Sequence, residues 1–347
     1  MDKTTGKVNT RPLVGVLVAL AVVVAIAAVA RLDVFGRKGS RLGKGFQYNI
    51  EDLVKVDPKL ILYEERGGPI QTGFTASHGV VADPKGAIYV AGDRAIRKLS
   101  DQGAVLGQID LAGEPGCLAV LADGTVYAGL KDHVEIYDGQ GQRQGSWDSL
   151  GPNAHLTSIA VSGQDVFVAD AGNRIVIRYD TSGNLVTEIG KKDSSRNVPG
   201  FVIPSPYFDL LVSQDGLLRV VNPGRRRVEA YTFDGDIEFW WGTSSVAIEG
   251  FVGCCNPVNI ATLPDGGYVT CEKGLTRVKV YNSDGEFVGV VAAPRQLVRD
   301  GDLRVCDLPE ECQAGGFDVA VDPAGRVLVL DTIKNVVRIF SKIEGRS

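Results

Sequence analysis

Two sets of residues in this chain have the types and spacing to do chemistry. The first is sulfur. Cys254 and Cys255 are adjacent, Cys306 and Cys312 are separated by five residues, and Cys271 and Cys117 stand apart. Thiols on neighbouring loops can close as disulfides or hold a soft metal. The favoured reading is two bridges joining Cys254 and Cys255 to Cys306 and Cys312, in either sense, since a bridge within the adjacent pair forces a strained ring. A zinc or iron–sulfur site drawing on these four and Cys271 is the alternative, weakened by the absence of C-x2-C spacing. The second set is oxygen. Asp209, Asn259 and Asp318 each stand seven residues before a glycine, Gly216, Gly266 and Gly325. Two carboxylates and an amide held by rigid strands are hard donors of the kind Ca²⁺ takes.

Both sets need a scaffold that brings distant segments together, and the sequence carries one. Units starting near His78, Gly116, Leu156, Tyr207, Val258 and Phe317 repeat one pattern: strand, Asp/Gly turn, apolar strand, polar turn, alternating strand, Gly turn, strand. Gly86, Gly124, Gly163, Gly216, Gly266 and Gly325 mark the first turn. Gly103, Gly141, Gly183, Gly235 and Gly285 mark the third. Four short strands at a period of roughly 40 residues are the signature of a β-propeller, here an all-β, six-bladed one. The sixth unit stops after its third strand, so Leu60–Tyr63 is expected to supply the missing strand and close the ring. Aligned on the first-turn glycines, the inner strands give one column: Gly79, Cys117, Ser158, Asp209, Asn259, Asp318. The column should ring the mouth of the central channel, with His78 one position away. Segments 191–206, 243–256 and 293–315 are insertions between blades, and all three should rise on the face where the column ends.

DAGNRIVIRYDTSGN at 170–184 resembles the NHL repeat, with its D-x-x-N-x-R-(I/V) turn and following D-x-x-G turn. NPGRRRVEAYTFDG at 222–235 and DTIKNVVRIF at 331–340 are looser matches. The resemblance implies the propeller fold and a range of roles, from protein-binding scaffolds and extracellular sensors to lyases and lactonases. The Asp209–Asn259–Asp318 column is similar to the channel-mouth metal site of lactonase-type propellers, but has no His or Glu to serve as a base.

The address is written at the N-terminus. Residues 13–30 are an unbroken apolar run flanked by basic residues, about 27 Å long as a helix. The expected organisation is a tail (1–11), a transmembrane signal anchor (12–31), a basic tether (32–50), the propeller (51–341) and a C-terminal tail (342–347). A cleaved signal peptide is the alternative, since the run ends in an A-x-A-like site. Six cysteines suit an oxidising compartment, which places the propeller on the extracytoplasmic side of the cell membrane.

Charge excludes one class of partner. Residues 1–45 hold eight basic and two acidic residues, leaving 29 basic against 40 acidic in the body. A body this acidic cannot displace counterions from phosphates, so nucleic acid is not the ligand. Nucleophile-elbow, P-loop and H-E-x-x-H motifs are missing, and three histidines are too scattered for a usual zinc enzyme. The expected function is therefore binding or assembly, with a protein partner on the cysteine-bearing insertion face. The alternatives are a metal-dependent hydrolase or lyase at the channel mouth, and a redox or metal-handling protein using the cysteines.

Overall fold

The computed structural model describes residues 50–298 and 316–346, together with Leu20 and Val22, both helical. Most of the apolar run and the tether, and Cys306 and Cys312, lie outside the described residues. Among the described residues, no helix is long and apolar enough to cross a membrane.

Each repeat unit folds as an antiparallel sheet with its strands in sequence order, giving six blades. The first strands are Ser77–Ala82, Cys117–Val120, Leu156–Ser162, Leu210–Val212, Asn259–Thr262 and Phe317–Val321. They adjoin one another around the axis, so the first strand of each blade is innermost. The first turns follow from their chemistry. The Asp322 carboxylate accepts the N–H groups of Ala324 (3.0 Å) and Arg326 (2.9 Å), and Gly325 takes φ 76° inside that loop. A side chain bonding its own backbone a few residues on, followed by a residue with positive φ, is why Asp and Gly recur there. Asp83 and Gly86 repeat the device in blade 1.

The core is distributed over the six junctions between blades. In Ile88–Gly92, the second strand of blade 1, Ile88 and Val90 pack towards blade 6 while Tyr89 and Ala91 pack towards blade 2. A strand with apolar neighbours on both faces reads as a continuous hydrophobic run. The other four junctions have their own clusters, two of them built on a tryptophan. Trp147 sits between Tyr127 and Tyr179, with ring centroids 5.9 and 4.7 Å away. Trp241 packs against Tyr268 (5.6 Å) and Tyr281 (4.8 Å). Its neighbour Trp240 points outward, 53% exposed, with the Arg227 guanidinium 4.6 Å from its ring centroid.

The ring closes as the sequence suggests, but three residues later. The strand that completes blade 6 is Tyr63–Glu65, antiparallel to Phe340–Lys342, and Ile70–Gln71 then pairs with Val336–Val337 along the same edge. Leu60–Leu62 leads to blade 5 instead, where Ile61 bridges Val290 and the Leu62 N–H donates to the Val290 carbonyl (2.9 Å). Burial accounts for the shift: Leu62 packs into the core between blades 5 and 6, and three residues on Glu65 meets Arg338 of the last strand (Nε to Oε1, 2.8 Å).

Candidate binding site at the channel mouth

The six column residues all line one cavity of about 850 Å³, which takes in residues from every blade. Their side chains are committed mainly to one another's blades. The Asp209 carboxylate of blade 4 accepts the N–H of Ile260 in blade 5 (2.7 Å), and Asp318 of blade 6 accepts that of Val80 in blade 1 (2.7 Å). Ser158 of blade 3 accepts the N–H of Leu210 in blade 4 (3.3 Å), and Asn259 of blade 5 donates to the Phe317 carbonyl of blade 6 (2.6 Å). Each bond reaches a residue flanking the column position of the next blade, so the ring is stitched from blade 3 round to blade 1. At the junction of blades 1 and 2 the column residue is Gly79, and a Cβ there would lie 3.1 Å from Leu118. Close packing replaces the hydrogen bond.

Burial pushes both carboxyls up, Asp209 to about 6 and Asp318 to about 8. For Asp318 the charge of Asp209 adds to the effect, while the N–H groups of Val80 and Val319 oppose it. The two therefore titrate as a pair, and near neutral pH a proton is retained between them. Each carboxylate oxygen already accepts a backbone N–H, with Leu210 and Val319 on the second oxygens (2.8 and 2.9 Å). A cation bound there would share those lone pairs. Among the described residues, no group of three His, Cys, Asp or Glu side chains is gathered to hold a metal.

The cavity rim adds groups that the column alone does not disclose. His78 meets Glu114 (Nε2 to Oε1, 2.8 Å), and Lys131 and His155 complete that side. Burial pushes the His155 imidazole down, against the pull of Asp170. Glu114, Lys131 and His155 sit on inter-blade connections and second-to-third-strand turns. Their position relative to the turn glycines was the available signal, since those loops all emerge on the column's face.

The cysteines are spread more widely than their spacing suggests. Cys254 is exposed and Cys255 buried, with their sulfurs 3.5 Å apart. Cys271 ends the strand Tyr268–Cys271, opposite Asn259, and lies wholly inside the junction of blades 5 and 6. Cys117 is buried in the cavity wall, on the first strand of blade 2. Burial raises both of these thiols well beyond their ordinary range, so neither is poised as a thiolate at neutral pH.

The 243–256 insertion is held by buried charge, a device invisible in the cysteine pattern. Glu272, Arg277 and Lys279 of blade 5 are 0, 1 and 0% exposed. Glu272 binds Arg277 (2.5 and 2.9 Å) and Lys279 (3.2 Å), and also accepts the N–H of Val252 in the insertion (2.9 Å). The cations in turn donate to insertion carbonyls: Lys279 to Gly250 (2.6 Å), Arg277 to Gly250 (3.1 Å) and Ala247 (3.4 Å). The 191–206 insertion is tied down separately, by Arg225 on the carbonyl of Pro199 (3.2 Å) and by Asn222 accepting the N–H of Val202 (3.0 Å).

No protein-family model and no curated protein matches the chain. Solved structures do. A streptogramin B lyase matches at 10% identity, TM-score 0.56, covering 83% of this chain and all of its own. Virginiamycin B lyase from Staphylococcus aureus matches at 12% identity, TM-score 0.55, covering 81% of this chain and all of its own. U3-55K matches at 14% identity, TM-score 0.52, with 80% of each chain covered. At such identities the likeness concerns the fold alone. By its blades and these neighbours, the chain is a six-bladed β-propeller similar in architecture to virginiamycin B lyase.

Proposed function

We propose that this protein is a membrane-anchored, extracytoplasmic propeller that binds a protein partner through its insertion face, as a recognition or assembly module without turnover. The observation that supports this reading most is the surface around the cavity. Ile333 on the rim is 72% exposed, and Val202 and Val246 on the two insertions are each 42% exposed. Exposed aliphatic side chains on loops held by buried ion pairs and backbone clamps form a preorganised docking face, which limits the entropy lost on binding. The apolar run at 13–30 would hold the propeller at the membrane, and the basic tether would favour anionic lipid heads. A photo-crosslinking residue at Ile333 or Val246 should capture one discrete protein in intact cells, while the same residue at Lys85, on the opposite face, should not. Equal capture from both faces, or none from either, would overturn the reading.

A second reading, a metal-dependent hydrolase or lyase, draws support from the channel mouth. Asp318 keeps its proton near neutral pH beside Asp209, and a divalent cation would relieve the repulsion between them. On this reading millimolar Ca²⁺ raises the unfolding temperature, and the double change Asp209→Asn with Asp318→Asn abolishes the shift. An unfolding temperature indifferent to Ca²⁺, Mg²⁺ and Zn²⁺ leaves the pair as blade stitching.

A further inference from the structure

The backbone around Cys254 and Cys255 is fixed without any help from sulfur. Before the pair, the Val252 N–H is bound to Glu272 (2.9 Å). After it, the Asn256 side-chain amide donates to the carbonyls of Val252 (2.7 Å) and Lys273 (3.1 Å), and its oxygen accepts the Lys273 N–H (2.9 Å). The two cysteines thus sit in a clamped loop, one sulfur facing solvent and the other facing inward, 3.5 Å from each other. A cation stands on the inner side. The Lys273 ammonium hydrogen-bonds the Cys255 sulfur, donates to Ser205 (2.6 Å), and lies 4.5 Å from the centroid of the Tyr207 ring. Burial raises the Cys255 thiol, and Lys273 works against that rise.

We propose that Cys254 and Cys255 form a reversible dithiol–disulfide site whose substrate class is the small-molecule or peptide disulfide. The exposed Cys254, as thiolate, attacks one sulfur of the incoming disulfide. A mixed disulfide forms, and the first thiol leaves carrying the proton lost by Cys254. Cys255, its negative charge stabilised by Lys273, then attacks the Cys254 sulfur. A bond between the two cysteines forms, the second thiol leaves with the Cys255 proton, and the protein has given two electrons to the substrate. The product is a strained vicinal ring, and strained bridges are returned readily to dithiols by excess thiol. The division of labour follows from exposure: the substrate can reach Cys254, while Cys255 is already in contact with it and resolves the intermediate. This assignment stands apart from the docking reading, since it uses neither the cavity nor Ile333 and Val246.

The test uses the purified full-length chain, reduced, freed of reductant and equilibrated with defined ratios of oxidised to reduced glutathione before alkylation. Chymotryptic cleavage after Phe251 and Tyr268 isolates residues 252–268, which contain these two cysteines and no others. The expected result is a peptide two hydrogens lighter and unalkylated at oxidising ratios, and doubly alkylated at reducing ones. Cys255→Ser should trap glutathione on Cys254, because no resolving thiol remains. Lys273→Gln should slow ring closure several-fold and leave the first attack unchanged, a split that a purely structural lysine would not produce. A peptide doubly alkylated at every ratio would overturn the proposal. So would the same peptide cross-linked to the segment holding Cys306 and Cys312. If Lys273→Gln lowers the unfolding midpoint, the glutathione adduct on Cys255→Ser decides the matter by itself.

Discussion

Replacing Glu272 with glutamine should loosen the 243–256 insertion and destabilise the whole propeller. Glu272 is the carboxylate paired with both Arg277 and Lys279 among the described residues, and all three are at most 1% exposed. Breaking a buried ion pair by removing one partner costs about 3–5 kcal/mol, because the remaining charge is left in a low-dielectric site. Glutamine keeps one oxygen that can accept from Val252 or Arg277, so the lower end, about 3 kcal/mol, is expected. The loss should shrink as pH rises. Burial already depresses Lys279 to about 8, below its unfolded value of 10.5, so the folded state binds fewer protons there than the unfolded chain does. Folding stability linked to Lys279 therefore increases with pH between those values, and a neutral lysine no longer needs Glu272. The assay is urea unfolding at about pH 7 and about pH 9.5, followed through tryptophan emission, since Trp241 contacts Phe251 in the insertion (6.3 Å between centroids). Cleavage at the exposed Glu249 by a Glu-specific protease reports on the loop directly. A loss below about 1 kcal/mol with unchanged Glu249 cleavage would refute the idea that buried charge holds this insertion.

Asp318→Asn should flatten the pH dependence of stability. The folded carboxyls of Asp209 and Asp318 sit above their unfolded value of 3.8, so their contribution is full below that pH and lost as pH rises through about 6 and about 8. Urea midpoints measured across that window should fall less in the variant than in the parent. Trp241→Ala should cost about 3–5 kcal/mol by emptying the junction of blades 4 and 5, while Trp240→Ala should cost under about 1 kcal/mol; thermal unfolding of the two variants separates them. Protease added to intact spheroplasts should cut the propeller loops, and complete protection until lysis would place the propeller on the cytoplasmic side.

The blades were legible because most of the first and third turns carry a local instruction: an Asp, Asn, Ser or Thr that bonds its own backbone, then a glycine that takes positive φ. Those glycines also fix register: counting back seven residues gives the column member in five blades, and five residues in blade 3, where Ser158 precedes Gly163, and all six members line the cavity. What the column residues do was less legible. Asp209 and Asp318 read as ligands because two carboxylates pointing into a channel look unpartnered. Their partners are backbone N–H groups of another blade, and no sequence pattern marks a backbone donor. The buried cluster failed to show for a related reason. Glu272, Lys273, Arg277 and Lys279 form no motif in the sequence, and the carbonyls of Ala247 and Gly250 that satisfy two of them lie in a segment of unpredictable path. The closing strand was expected at the apolar Leu60–Tyr63 and lies at Tyr63–Glu65, because Leu62 is drawn into the core between blades 5 and 6 and the pairing begins only after it.

The pairing of Tyr63–Glu65 with Phe340–Lys342 sets the order in which the molecule can be finished. Blades 1 to 5 are built from neighbouring hairpins and can form as the chain emerges from its site of synthesis. Blade 6 cannot, since its outermost strand is made first and the strand beside it almost last. For the time it takes to make some 270 residues, Tyr63–Glu65 has no partner. An unpaired strand in a nascent chain is a site for wrong association, and long-range pairing of this kind is slow. The two glutamates in that short strand give it a charge that discourages stray pairing while it waits. Truncation between Ala292 and Val336 would thus leave a ring that cannot shut, and such chains should be handled by the cell as unfolded even though five blades are complete.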